Sequence, residues 1–187
     1  NLGMNSGGAH CLKYGVTFNH VLGVRIALID GTILDLGGDW MDGDPMDLLP
    51  LIVGSEGQLG IVTEATLRIL PQAEGARPVL FGFPSSETAG ECVAAIMAAG
   101  IIPVAMEFMD KPAIEICEAF AHAGYPMDVE ALLIVEVEGS EAEMEAMLAR
   151  IIEIAGRHGV KVVKESQSAT EAALIFAKAS YRPRASG

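Results

Sequence analysis

Basic residues are scarce. The 187-residue chain has 12 Lys and Arg against 25 Asp and Glu, a formal net charge of -13 and a pI near 4.6. Phosphate recognition needs clustered positive charge, so a nucleic-acid binder and a basic membrane-surface patch are both excluded as readings. Cysteine is scarce too. Cys11, Cys92 and Cys117 lie far apart, with no CxxC and no Cys–His ligand spacing, which excludes a zinc site and a disulfide framework. An odd thiol count fits a reducing compartment, and the expectation is a cytoplasmic protein. No apolar run reaches transmembrane length, because Gly, Asp or Glu interrupts every candidate. The first residues, Asn1-Leu2-Gly3, show no signal-peptide pattern and no initiator Met, so the chain is expected to be a piece of something longer.

What is present is the material of a core. Hydrophobic residues make up 51% of the chain, which excludes global disorder. The first 70 or so residues read as β-rich. Val24 to Ile29 and Thr32 to Leu36 are apolar runs around Asp30-Gly31, a hairpin signal that predicts a type I′ turn. Asp39 to Pro50 reads as an acidic surface loop, with Trp40 a candidate interface residue. From Ile61, alternation puts Ile61, Thr63, Ala65, Leu67 and Ile69 on one face, predicting a half-buried strand that Pro71 ends.

Beyond Pro78 strands and helices alternate. Strands are expected at 79–83, 104–109, 131–137 and 160–164, and helices at 86–99, 112–123, 141–158 and 170–179. Asp110 ahead of Pro112 reads as an N-cap, and Ser140 with Glu143 as a capping box. Met144, Met147, Leu148, Ile151 and Ala155 form a core stripe, and Gly159 stands where a helix-terminating glycine belongs. The fold class expected is α+β, with a ferredoxin-like α/β sandwich as the second part. The domain boundaries expected are 1–74 and 75–187.

Standard ligand motifs fail. There is no GxxxxGK[ST], and Gly54-x-x-Gly57-x-x-Gly60 precedes a strand where a dinucleotide fingerprint would open a helix. Asp42, Asp44 and Asp47 resemble a calcium loop, but its twelfth position falls on Val53 in place of a Glu, and no metal is expected. Two glycine-rich segments remain, Asn5-Ser6-Gly7-Gly8 and Gly54 to Gly60. Backbone N–H groups without a Cβ in front of them can accept an anion or the polar edge of a flavin. Spacing by itself favours the plainer reading, tight loops that serve only the hairpin.

The letters add more. Asn5-Ser6-Gly7-Gly8-Ala9-His10-Cys11-Leu12-Lys13-Tyr14-Gly15-Val16-Thr17, followed by Gly54-Ser55-Glu56-Gly57-Gln58-Leu59-Gly60-Ile61-Val62-Thr63-Glu64, resembles the FAD-linked oxidase family of the vanillyl-alcohol oxidase type. Within it the resemblance is to the glycolate oxidase flavin subunit and the D-lactate and D-2-hydroxyglutarate dehydrogenases. It continues through Gly100-Ile101-Ile102-Pro103, Glu107-Phe108-Met109-Asp110 and His122 to Asp128, up to about Thr170.

The resemblance implies that residues 1–74 are the second half of an FAD-binding domain and 75–187 part of a substrate-side cap. It implies FAD as cofactor, a small 2-hydroxy acid as substrate, and FAD contacts from Asn5, Gly7, Gly8, Glu56, Gly57, Gly60, Ile61 and Val62. In such enzymes the substrate's α-hydrogen passes to the flavin as hydride while a base, usually His, takes the hydroxyl proton.

Departures from the family pattern limit this. The family's Pro-Gly-Gly pyrophosphate loop and its catalytic and metal-binding histidines have no counterpart here. The usual Trp followed by Arg-Lys is replaced by Phe176 to Tyr181, with Arg182 and Arg184 nearby. No catalytic residue is carried over, and the chain alone is expected to be inactive. His10, His20, His122 and His158 read as loop or helix-end residues, and Cys11 as a small buried hydrophobe. Two other readings stay open: a non-catalytic α/β binding module, and a module that self-associates or meets partner oxidase subunits through uncovered sheet edges.

Overall fold

A computed structural model describes residues 1–38, 46–122 and 124–166. Trp40, Asp42, Asp44, the helix expected at 170–179, Phe176 to Tyr181, Arg182 and Arg184 lie outside the described residues. The chain divides into two compact units, Asn1–Gln72 and Ala73–Gly187.

The first unit opens with a loop and a helical turn, α1 (Cys11–Tyr14), and then enters β1 (Val21–Ala27). β1 is the centre of a three-stranded antiparallel sheet, flanked by β2 (Ile33–Gly37) and, after the one-turn helix α2 (Leu49–Ile52), by β3 (Ile61–Leu67). Val21, Val24 and Ile26 face inward onto Leu49, Ile52 and Val53, and Leu2, Leu36 and Val62 pack at the margin.

Two expectations are corrected here. The β1–β2 connection is not a type I′ turn. The Leu28 N–H donates to Thr32 O and the Gly31 N–H to Leu28 O; Gly31 has positive φ (82°) and Asp30 does not. This is a longer loop ending in a left-handed glycine, in which the Asp30 carboxylate accepts the Thr32 N–H at 2.9 Å and stabilises the bend. Nor is β3 half-buried: Ile61 is 72% exposed and Leu67 53%. β3 is an edge strand, and a bulge opposite Arg25 and Ile26 turns Val62 inward while leaving Ile61 across from Ala27 on the outer face.

The second unit follows the expected alternation. β4 (Gly75–Phe83), α3 (Ser86–Ala98), β5 (Ala105–Asp110), α4 (Lys111–Ala121), β6 (Ala131–Gly139), α5 (Glu141–Arg157) and β7 (Val162–Glu165) build an antiparallel sheet in the order β5-β6-β4-β7. Counted within the unit that order is 2-3-1-4, the ferredoxin-like arrangement, with α4 added between its second and third strands. Ala131, Leu133, Val135 and Val137 of β6 pack with Cys92, Ile96, Leu148 and Ile151 of α3 and α5. Leu132 and Ile134 pack on the other face with Ile114, Tyr125 and Val129. A strand buried on both faces needs an unbroken apolar run, and Ala131 to Val135 is one.

The helix ends are closed by their own residues. The Ala113 N–H donates to Asp110 Oδ1 at 3.0 Å, and Glu143 Oε2 accepts the Ser140 N–H at 2.9 Å. At the end of α5 the Gly159 N–H donates to Gly156 O and the Val160 N–H to Ala155 O, a Schellman closure. His158, read as a dipole complement, also lies 3.7 Å from a Glu91 carboxylate oxygen.

Candidate functional site

The two glycine-rich segments lie side by side. The Gly54 N–H donates to Leu2 O at 2.9 Å and the Glu56 N–H to Gly3 O at 2.7 Å. These bonds stitch the Gly54–Gly60 loop to the loop that leads into Asn5-Ser6-Gly7-Gly8. The first loop is itself tied down further along the chain. Ser6 O accepts both the Thr17 N–H and the Thr17 hydroxyl, and Asn5 Oδ1 accepts the Phe18 N–H.

The sequence-predicted residues then separate into two groups. Asn5, Gly7 and Gly8 belong to one loop and Glu56 and Gly57 to its neighbour, and all of these but the partly buried Asn5 are exposed. A Cβ on Gly7 would sit 2.3 Å from Cys11 Sγ, so glycine there is what lets α1 close against the loop. Gly60, Ile61 and Val62 instead enter the sheet. A Cβ on Gly60 would meet Ala27 O at 2.7 Å and Ile26 side-chain atoms at 2.8 Å, and Val62 packs against the core. The strand pairing accounts for Gly60 and Val62 by itself.

Sequence reasoning missed the role of Cys11. It is partly exposed, not buried, and its sulfur accepts the Gly8 N–H at 2.8 Å. It also helps wall a shallow hollow of about 270 Å³ with Ser6, Gly7, His10, Tyr14 and His20. Every residue of that wall comes from the first twenty, and none from the Gly54–Gly60 loop. His20 Nε2 lies 2.9 Å from Tyr14 O, which makes it a structural histidine. A second hollow of about 350 Å³ lies over the sheet, where Arg25 reaches Asp35 at 2.8 Å and Glu64 at 2.7 Å. Hydrogen bonds to Asp35 and then Glu64 drive the Arg25 pKa further up, so this cation is locked between two carboxylates.

Chemistry by these side chains alone is not assembled. Among the described residues no group of three His, Cys, Asp or Glu could hold a metal ion. Burial pushes the Cys92 thiol up to about 11 and the Tyr125 phenol up to about 12, so both stay protonated at neutral pH. The loop pair offers backbone instead. The N–H groups of Gly7 and Gly57 have no acceptor among the described residues, and a Cβ on Gly8 would meet nothing within 4 Å.

The family profile described as FAD linked oxidases, C-terminal domain, matches residues 72–186. The chain belongs to the FAD-linked oxidases. Among curated relatives this FAD-linked oxidase chain is 42% identical over 177 residues to the glycolate oxidase subunit GlcD of Escherichia coli strain K12, covering 95% of the chain and 36% of that protein. It is 37% identical to GlcD of Bacillus subtilis strain 168, over 92% of the chain and 37% of the relative. It is 38% identical to D-lactate dehydrogenase of Archaeoglobus fulgidus, over 78% of the chain and 33% of the relative. The chain therefore spans about a third of the length of these relatives. A solved structure of alkyldihydroxyacetonephosphate synthase superposes with a TM-score of 0.76 over 91% of the chain and 35% of its own, at 20% identity, which speaks to the fold alone.

FAD is the cofactor of this family. The loop pair fits a group of that kind, because it presents main-chain donors with no side chain in front of them.

Proposed function

We propose that this chain is the flavin-contacting and cap portion of a longer FAD-dependent oxidoreductase that oxidises a small 2-hydroxy acid of the glycolate or D-lactate type. The observation that carries the reading is the pair of backbone hydrogen bonds, Gly54 to Leu2 and Glu56 to Gly3, that joins two side-chain-poor loops. When bound, FAD would take the substrate's α-hydrogen as hydride. The chain's own part is positional. Gly7 and Gly57 present amides to the cofactor beside Asn5, Gly8 and Glu56, and Gly60, Ile61 and Val62 run the loop into the sheet beneath. The unit before Gln72 serves as part of the FAD-binding domain, and the ferredoxin-like unit as part of the substrate-side cap. The names of the GlcD and D-lactate dehydrogenase relatives support the substrate class, and the word subunit in the former supports partner chains.

FAD titrated into the isotope-labelled chain tests this directly. Amide resonances of Gly7, Gly8 and Gly57 are expected to move together with weak, saturable affinity. Glycolate or D-lactate with an artificial electron acceptor is expected to give no turnover by the chain alone. A titration in which those amides stay fixed overturns the reading.

A further inference from the structure

The helix α4 is apolar on two faces. Its inner face sets Ile114, with Ala113 and Cys117 at the margin, against Leu80, Met109, Leu132 and Ile134. Pro112, Ile116, Ala119 and Phe120 stand on the other side and are exposed. They recur at the spacing of one helix face, with Ile116 70% exposed and Phe120 62%. The neighbouring helices differ. On α5 the large apolar side chains Met144, Leu148, Ile151 and Ile154 are buried and none is exposed, and α3 exposes only Met97 near its C-terminal end. A surface helix needs one apolar stripe, and a second belongs to a helix covered on both sides.

The charges around this stripe have one sign. Glu115 is exposed beside Ile116. Asp110 caps the end of α4 where Pro112 lies, its carboxylate accepting the Ala113 N–H. Exposed Asp128 stands between Met127 and Val129, whose carbonyl oxygens both accept from Lys111 Nζ, the latter at 3.0 Å. Lys111 is the only Lys or Arg from Ala105 to Glu130, and its ammonium is held by those carbonyls.

Charge separates the surfaces that could cover such a stripe. A second copy brings the same acids to the same place on a chain of net charge -13, so like charge opposes a symmetric pair. An anionic bilayer is repelled for the same reason. A protein segment with Lys or Arg beside its apolar residues is attracted and steered. We propose that the outer face of α4 is a docking surface for a positively charged amphipathic helix of a partner chain. Its apolar residues seat on Ile116 and Phe120, and its cations meet Glu115, Asp110 and Asp128. The proposal rests on the partner-chain reading above for the existence of a partner and adds the surface and its chemistry. It is independent of the flavin reading, which uses the other unit.

The probe is a synthetic amphipathic peptide with Leu at helical spacing and Lys at the flanking positions. It is titrated into the isotope-labelled chain beside a twin in which every Lys is Glu. The Lys peptide is expected to move the amides of Ile116, Ala119 and Phe120, and to lose affinity severalfold between about 0.01 and about 0.15 M salt. Ile116→Ser is expected to weaken it about tenfold and to leave the urea midpoint unchanged, because that side chain is exposed. Equal binding of the Glu peptide, no binding of either, or Lys-peptide shifts that spare α4 or survive Ile116→Ser overturn the proposal. A lowered urea midpoint overturns it also, since Ile116 would then be covered within the chain. Dimerisation in sedimentation, or binding to phosphatidylcholine vesicles, that Ile116→Ser abolishes would assign the face to a second copy or a bilayer and sink the partner. The FAD titration of the glycine loops reads separately from all of these, so failure here leaves the flavin reading standing.

Discussion

β6 and β3 are both apolar strands, yet they stand at opposite extremes of burial. Every residue of β6 from Ala131 to Val135 is buried, whereas none of β3 from Ile61 to Leu67 is. β6 is an interior strand with helices on both faces of its sheet. β3 is the edge of a three-stranded sheet that, among the described residues, has a core on one face. The ferredoxin-like unit thus carries its hydrophobic stabilisation within itself, while in the loop-bearing unit short polar stitches do comparatively more. Apolar pattern and apolar burial are separate properties, and an edge position divides them.

The comparison can be broken most directly by truncating both strands. Leu133→Ala is expected to destabilise the second unit by about 2–5 kcal/mol, because it empties a site between sheet and helices. Ile61→Ala is expected to stay within about 0.5 kcal/mol of the parent. Equal losses in urea unfolding would show that β3 is covered in solution.

A smaller effect sharpens the picture of the first unit. Gly7→Ala would bring a Cβ to within 2.3 Å of Cys11 Sγ. A loss of about 1 kcal/mol is expected, since the thiol can partly give way. Adding Cys11→Ala should restore most of it, and a double variant no better than the single one would place the strain elsewhere.

The smallest effect is electrostatic. The Thr32 backbone N–H holds the exposed Asp30 carboxyl below its ordinary range. Because the folded-state pKa is lowered, this contribution is complete above the ordinary carboxylate range and fades as pH falls through the lowered value. The Thr32 amide should titrate with a midpoint below about 3.9. A midpoint at or above that value would mean the loop bond is not formed.

Much of the second unit was legible in the chain, because its signals are local. Asp110 with Pro112, the Ser140–Glu143 pair and Gly159 mark helix ends through chemistry that acts within a single turn, and each is found in that role. The ferredoxin-like sandwich follows from the order of strands and helices. The first unit resisted. Asp30-Gly31 carries the letters of a type I′ turn but forms a longer loop, and two positive φ values in succession occur at Glu56-Gly57. β3 alternates as a half-buried strand should, but periodicity does not say which face another layer will cover. Cys11 could not be read as a wall of the first loop, because its Gly7 and Gly8 contacts depend on how α1 folds back.

The membership of the chain among the FAD-linked oxidases was carried by the order of its motifs, and its helix caps by residues acting on near neighbours. These are determined by the chain itself, since they depend on contacts a few residues apart or on the letters alone. Only the folded chain decided that residues far apart in sequence, Leu2 and Gly3 against Gly54 and Glu56, share backbone hydrogen bonds. The physical reason is that main-chain donors and acceptors are the same at every residue. No side-chain pattern marks which of them will meet, and Leu2 packs against the same apolar cluster as Ile52 and Val53, next to Gly54.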